Sequence, residues 1–125
     1  MKTTLQLILA ASLAFSAAAM AGGEHDTKPK HGGVVVEVKH IDYEIVAKPE
    51  MIQIYLGDHG KPMKVDGAKA KVTLLNGSEK SEVDLLPVGD KLEAKGAFKV
   101  AKGTKGIALV TLAGKSASTV RFEVK

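Results

Sequence analysis

The chain contains neither cysteine nor tryptophan among its 125 residues, and aromatic side chains make up only 4% of it. The absence of cysteine excludes disulfides, thiolate metal ligands, a cysteine nucleophile and a lipid-modified cysteine. The few aromatic side chains leave no platform on which nucleotides or sugars could stack. Arginine occurs once, at Arg121, and the lysines are scattered singly, so the formal net charge of +4 indicates solubility. We expect no nucleic-acid partner.

The first 21 residues have the pattern of an export signal. Lys2 is followed by an apolar run over residues 5–15 and by small residues that end in Ala19, Met20 and Ala21. A membrane-spanning helix requires roughly 20 apolar residues, so this run is too short for one. We predict a signal peptide over residues 1–21 and a periplasmic mature protein without stable membrane insertion; a retained membrane anchor is the alternative.

Beyond residue 33 the apolar residues alternate with polar ones, as in strands that bury one face. Clusters of turn-forming residues separate the apolar runs, and Asn76-Gly77 predicts a hairpin with a type I′ turn. We predict a flexible tail over residues 22–33 and a β-sandwich domain over residues 34–125. Its predicted fold is all-β, an antiparallel immunoglobulin-like β-sandwich of seven or eight short strands, with a small barrel as the alternative. The predicted core residues in the later strands are Val72, Leu74, Val83, Leu85, Leu109, Val120, Phe122 and Val124.

All four histidines, His25, His31, His40 and His59, lie in the first half of the predicted mature chain. Imidazole is the commonest neutral ligand for copper, zinc and nickel. In the tail, His25 lies between two acidic residues and His31 follows six residues later, a spacing that a flexible segment can fold around one ion. The histidines are therefore candidate metal ligands.

The predicted second strand has polar residues His40, Asp42 and Glu44 between core residues, so the three should project from one outer face. Neighbours on such a face lie about 6.5 to 7 Å apart, too far for two of them to chelate an ion unaided. An ordinary solvated polar face is the alternative. Chelation at His40 would need a ligand from the tail or a neighbouring strand.

Met51 and Met63 bracket a loop over residues 58–62 that contains His59. A methionine thioether suits Cu(I), so Met63 joins His59 as a candidate ligand, although filling gaps in the core is the common role of methionine. No serine lies in a Gly-x-Ser-x-Gly elbow. We therefore expect no enzyme, and we expect copper or zinc as the only cofactor, if there is one.

Three segments, HGGVV over residues 31–35, DYEIVAK over residues 42–48 and IYLGDHGKP over residues 54–62, form a pattern. The pattern resembles small exported β-proteins, and N-terminal segments of adaptor subunits, that are associated with heavy-metal efflux systems of the resistance-nodulation-division type. The resemblance implies a stand-alone domain near a periplasmic efflux complex, with His31 and His59 as possible ligands. We predict a periplasmic protein that buffers or delivers copper or zinc. A metal-free interaction module of a periplasmic complex is the alternative.

Overall fold

The computed structural model describes residues 28–125. The predicted signal peptide, His25 and the rest of the predicted tail up to residue 27 lie outside the described residues. Nine strands make up the regular structure, and residues 28–125 contain no helix that is long and apolar enough to cross a membrane. The strands are β1 (Val34–Val38), β2 (Ile41–Lys48), β3 (Met51–Asp58), β4 (Lys61–Pro62), β5 (Lys69–Asn76), β6 (Glu79–Val88), β7 (Lys91–Lys95), β8 (Lys105–Thr111) and β9 (Ala117–Glu123).

All strand pairs are antiparallel and form one continuous sheet in the order β1-β2-β3-β7-β6-β5-β8-β9, with β4 paired to β3. The first and last strands of this order contact each other, so the sheet nearly closes into a barrel. The all-β, antiparallel prediction is confirmed. The strand count exceeds the predicted seven or eight because β4, with two exposed residues, has no apolar alternation by which to recognise it.

The core is built from alternate residues of the strands, as the period of two predicts. Its centre contains Ile52, Ile54, Val72 and Leu74, all fully buried. Leu109 was predicted to belong to this core, and that prediction is wrong: its side chain is 45% exposed, and β8 instead buries the residues on either side of it. The reason is that both faces of β8 carry apolar residues, so alternation alone could not select the buried face. Val83 and Val124 are partly buried and pack against the core.

The hairpin predicted at Asn76-Gly77 is present, but its turn is not type I′. Asn76 pairs with Glu79, so the two turn residues are Gly77 and Ser78, and only Gly77 has a positive φ, of 62°. This is the pattern of a type II′ turn. The Asn76 side chain instead donates to the backbone oxygen of Lys99 at 2.9 Å. The asparagine therefore links the hairpin to a distant loop.

Candidate functional site

Two histidines lie in tight turns at the same end of the sheet. Lys39 and His40 form the turn between β1 and β2, and His59 and Gly60 form the turn between β3 and β4. All four residues have positive φ angles, of 52°, 70°, 53° and 82°, which is the type I′ conformation. His40 therefore lies in a turn and not on the face of β2 with Asp42, so that part of the prediction is wrong.

The register of β2 and β3 brings the two imidazoles together. Ile41 pairs with Asp58 at the end of the two strands. His40 directly precedes Ile41 and His59 directly follows Asp58, so the two histidines become neighbours. Their ring centroids lie 6.4 Å apart and their planes differ by 11°. Both side chains are exposed, that of His59 to 70%.

The His59 ring is oriented by the residue before it. Its Nδ1 lies 2.5 Å from Oδ1 of Asp58. Metal-ligating histidines commonly bond a carboxylate through one ring nitrogen, which fixes the ring and raises the basicity of the other nitrogen. A metal at His59 would therefore be bound through Nε2, with Asp58 as the orienting group.

His31 occupies a different place, on a segment of residues 30–33 that we call the strap. The strap curls around the carboxylate of Glu44 on β2. Glu44 is only 6% exposed. Glu44 accepts hydrogen bonds from the backbone N–H groups of Lys30, His31 and Gly33 at 2.9, 2.7 and 2.9 Å. Gly32, with φ of 79°, makes the tight curl possible. Residues 30–33 of the predicted flexible tail are thus hydrogen-bonded to the sheet. The flexibility of the tail stays a prediction.

The strap also brings an imidazole against an aromatic ring. His31 Nδ1 lies 2.9 Å from Glu44 Oε1, and its ring stacks on Tyr55 with centroids 3.5 Å apart. Burial raises the pKa of the Glu44 carboxyl, but the hydrogen bonds from Gly33, His31 and Lys30 outweigh burial and leave this pKa below its ordinary value. Burial is the largest cause that raises the pKa of the Tyr55 hydroxyl, and the negative charges of Asp90, Glu44 and Glu93 raise it further. The alternative of an ordinary solvated polar face is therefore wrong for Glu44, because the strap covers this carboxylate.

A cleft of about 120 Å³ lies beside the strap. Its lining combines Lys30, Lys61 and Asp42 with Tyr55. Asp42 Oδ1 is buried and has no hydrogen-bond partner. Lys30 Nζ donates to the backbone oxygen of Gly60 at 3.2 Å, which ties the strap to the turn that carries His59. Tyr55 was not a candidate by residue type or spacing; the signal that could have found it is its position opposite Glu44 once the β2–β3 hairpin is aligned.

The candidate metal ligands therefore divide into separate places. His40 and His59 lie together, whereas the contacts of His31 are with Glu44 and Tyr55. The Met63 side chain is partly buried and packs against the core, the role that was the alternative to metal binding. Across residues 28–125 no three His, Asp or Glu side chains converge into a group that could hold a metal ion.

No protein-family model matches the chain, and no curated protein matches it. Among solved structures it is similar to one titled "Crystal structure of Br derivative BhCBM56", with a TM-score of 0.39 and 12% sequence identity. The similarity covers 73% of this chain and 94% of that chain. A likeness at this level carries no argument about fold or function. The resemblance to metal-efflux proteins stays a prediction.

Proposed function

We propose that the protein is a periplasmic, non-enzymatic metal-binding protein that buffers or delivers copper or zinc near a metal-efflux complex, and that His40 and His59 are its ligands. The observation that carries this proposal is the pairing of two exposed imidazoles at 6.4 Å, one of them oriented by Asp58. Two imidazoles on one ion place their centroids about 5 to 6 Å apart when the nitrogen–metal bonds are about 2 Å. Small rotations of exposed side chains cover this difference.

The backbone of the two turns supports a functional role for the histidines. Lys39, His40 and His59 have left-handed φ angles, which cost a non-glycine residue about 1 kcal/mol or more. Asparagine or glycine would form the same type I′ turns at lower cost. A need for the imidazole itself would explain why histidine occupies these strained positions.

The donor set favours Cu(II) and Zn(II) over Cu(I). Imidazole nitrogens suit both divalent ions, whereas Cu(I) is selected by thiolate and thioether sulfur. The sulfur candidate near this loop, Met63, packs against the core. Two imidazoles leave further coordination positions for water or for a recipient's ligand.

Calorimetric titration of the exported, untagged protein with zinc sulfate and with copper sulfate tests the proposal. The informative variants are His40→Asn, His59→Asn and the double variant, because asparagine tolerates a left-handed φ and preserves the turns. The double variant should bind at least tenfold more weakly, which is about 1.4 kcal/mol. His31→Ala is the matched control and should retain wild-type affinity, and His25→Ala tests whether the tail supplies a ligand.

Two results would overturn this assignment. Loss of affinity in His31→Ala, with binding retained in the double variant, would transfer the site to the strap. Wild-type binding no tighter than about 100 μM, roughly −5.5 kcal/mol, would reject metal binding altogether.

The alternative, a metal-free interaction module, is favoured by one surface feature. Leu86 and Val88 are 61% and 45% exposed and lie on one face of β6, where that strand pairs with β7. Exposed apolar side chains that cluster on a sheet face are typical of a protein contact. If the wild-type protein binds no metal, replacing both residues with serine in a pull-down from periplasmic extract tests this second function.

We also retain the immunoglobulin-like sandwich as our proposal for the architecture. It is supported by β6, whose residues 79–85 pair with β5 and whose residues 86–88 pair with β7. A strand shared in this way is how two packed sheets are joined at a corner. A crystal structure with two layers about 10 Å apart would establish it, and hydrogen bonds between β1 and β9 would establish a closed barrel instead.

A further inference from the structure

We propose that one metal ion joins two copies of this chain, each supplying His40 and His59, so that zinc converts the monomer into a two-fold symmetric dimer. This inference rests on the proposed function, because it uses the same two imidazoles. It adds the partner of the site, which is a second copy, and the stoichiometry, which is one ion for two chains.

The number of ligands in one chain is too small for a stable zinc site. Zinc in stable protein sites is almost always tetrahedral, with four ligands. The described residues bring together two imidazoles, and no group of three potential ligands occurs within residues 28–125. A two-fold axis through the ion doubles the two imidazoles to four. Such an axis is also the commonest symmetry of protein dimers.

The histidines lie where a second copy can reach them. Both lie in two-residue turns, and the neighbouring turn residues Lys39 and Gly60 are exposed as well. The tip of a hairpin can approach its counterpart in another molecule without contact between the sheets. In a two-fold contact the same patch meets itself, so each pair of turns would face the equivalent pair across the ion.

The surface around the two turns offers little besides the ion to hold two copies together. The turns present few apolar atoms, and exposed lysines lie at both: Lys39 in one turn, and Lys61 directly after the other, paired with Asp58. A contact confined to two hairpin tips buries far less than the roughly 1,200 Å² of a stable interface. Lysines of like charge would also face each other across the axis. Association should therefore depend on the ion, and the protein without metal should be a monomer.

Sedimentation velocity of the full exported protein tests this inference, with zinc sulfate added stepwise after treatment with EDTA. We expect a monomer in EDTA and a dimer with zinc, complete at one zinc for two chains and reversed by chelation. The His40→Asn, His59→Asn double variant should remain monomeric at the same zinc concentrations. His31→Ala, the control, should dimerise like the wild type.

The outcomes separate the inference from the proposed function. Zinc bound one to one by a chain that stays monomeric would overturn the shared site and leave the proposed function standing. A dimer that persists in EDTA, or that the double variant forms with zinc, would assign dimerisation to another surface and overturn the inference. No zinc binding at all, in a parallel calorimetric titration, would overturn both.

Discussion

Replacing Glu44 with glutamine tests whether a single carboxylate holds the strap on the sheet. The carboxylate accepts three backbone N–H groups and the His31 ring at 2.7 to 2.9 Å. A hydrogen bond to a charged group contributes about 1.5 to 3 kcal/mol. The total for the four bonds to Glu44 is not all lost, because strap donors that are released can bond to water instead. Glutamine keeps the volume and loses the charge and one acceptor oxygen. We expect the free energy of unfolding at pH 7 to fall by about 1 to 3 kcal/mol.

The pH dependence of this loss has a definite sign. Burial raises the Glu44 pKa, but the hydrogen bonds of the strap bring it below the ordinary value of 4.5. A group whose pKa is lowered by folding stabilises the protein fully above its unfolded pKa, and this stabilisation disappears as the pH falls through the folded pKa. The difference between wild type and Glu44→Gln should therefore persist down to about pH 5 and shrink below about pH 4.5.

Urea unfolding followed by circular dichroism measures this difference, because the chain has no tryptophan to report by fluorescence. Glu50→Gln, at an exposed turn carboxylate, is the control and should change stability by less than about 0.5 kcal/mol. Wild-type and Glu44→Gln curves that coincide at pH 7, or a difference that does not shrink below about pH 4.5, would refute the account of the strap.

Two further substitutions test the packing of the sheet. A methyl group at Gly106 would overlap the ring of its cross-strand neighbour Phe122, so Gly106→Ala should lower the free energy of unfolding by about 1 to 3 kcal/mol, measured in urea. An unchanged midpoint would mean that Phe122 does not lie over this glycine. Leu109→Ser should change stability by less than about 0.5 kcal/mol, whereas Leu74→Ala should cost about 2 to 5 kcal/mol. Equal losses at these two positions would contradict the assigned face of β8.

Much of the fold could be predicted because most strands alternate cleanly. β5 has apolar residues on one face only over most of its length, so periodicity locates both the strand and its buried side. The same logic fails in β8, where Leu109 and its neighbours are all apolar. It also fails for β4, which is defined only by its pairing with the end of β3. Periodicity reports how residues alternate, and it carries no information about which of two apolar faces finds a partner.

The pairing of the two histidines could have been predicted from the sequence, whereas the contacts of the strap could not. Pro49 and Glu50 form a two-residue turn between β2 and β3, and counting outward from this turn makes positions 40 and 59 neighbours. Recognising the turn length would therefore have paired His40 with His59 from sequence alone. The strap is different, because its hydrogen bonds to Glu44 depend on how an irregular segment folds back across a face. No periodicity or spacing rule reports such a contact.

The most direct test of the metal site is an observation of each imidazole while zinc is added. Long-range nitrogen–proton NMR spectra of the ¹⁵N-labelled protein separate the ring nitrogens of His31, His40 and His59. We predict that zinc sulfate shifts the nitrogen resonances of His40 and His59 together and to saturation. The resonances of His31 should not shift, because its ring is stacked on Tyr55 and binds no zinc. Movement of the His31 resonances alone, or no movement of any imidazole, would contradict the proposed site.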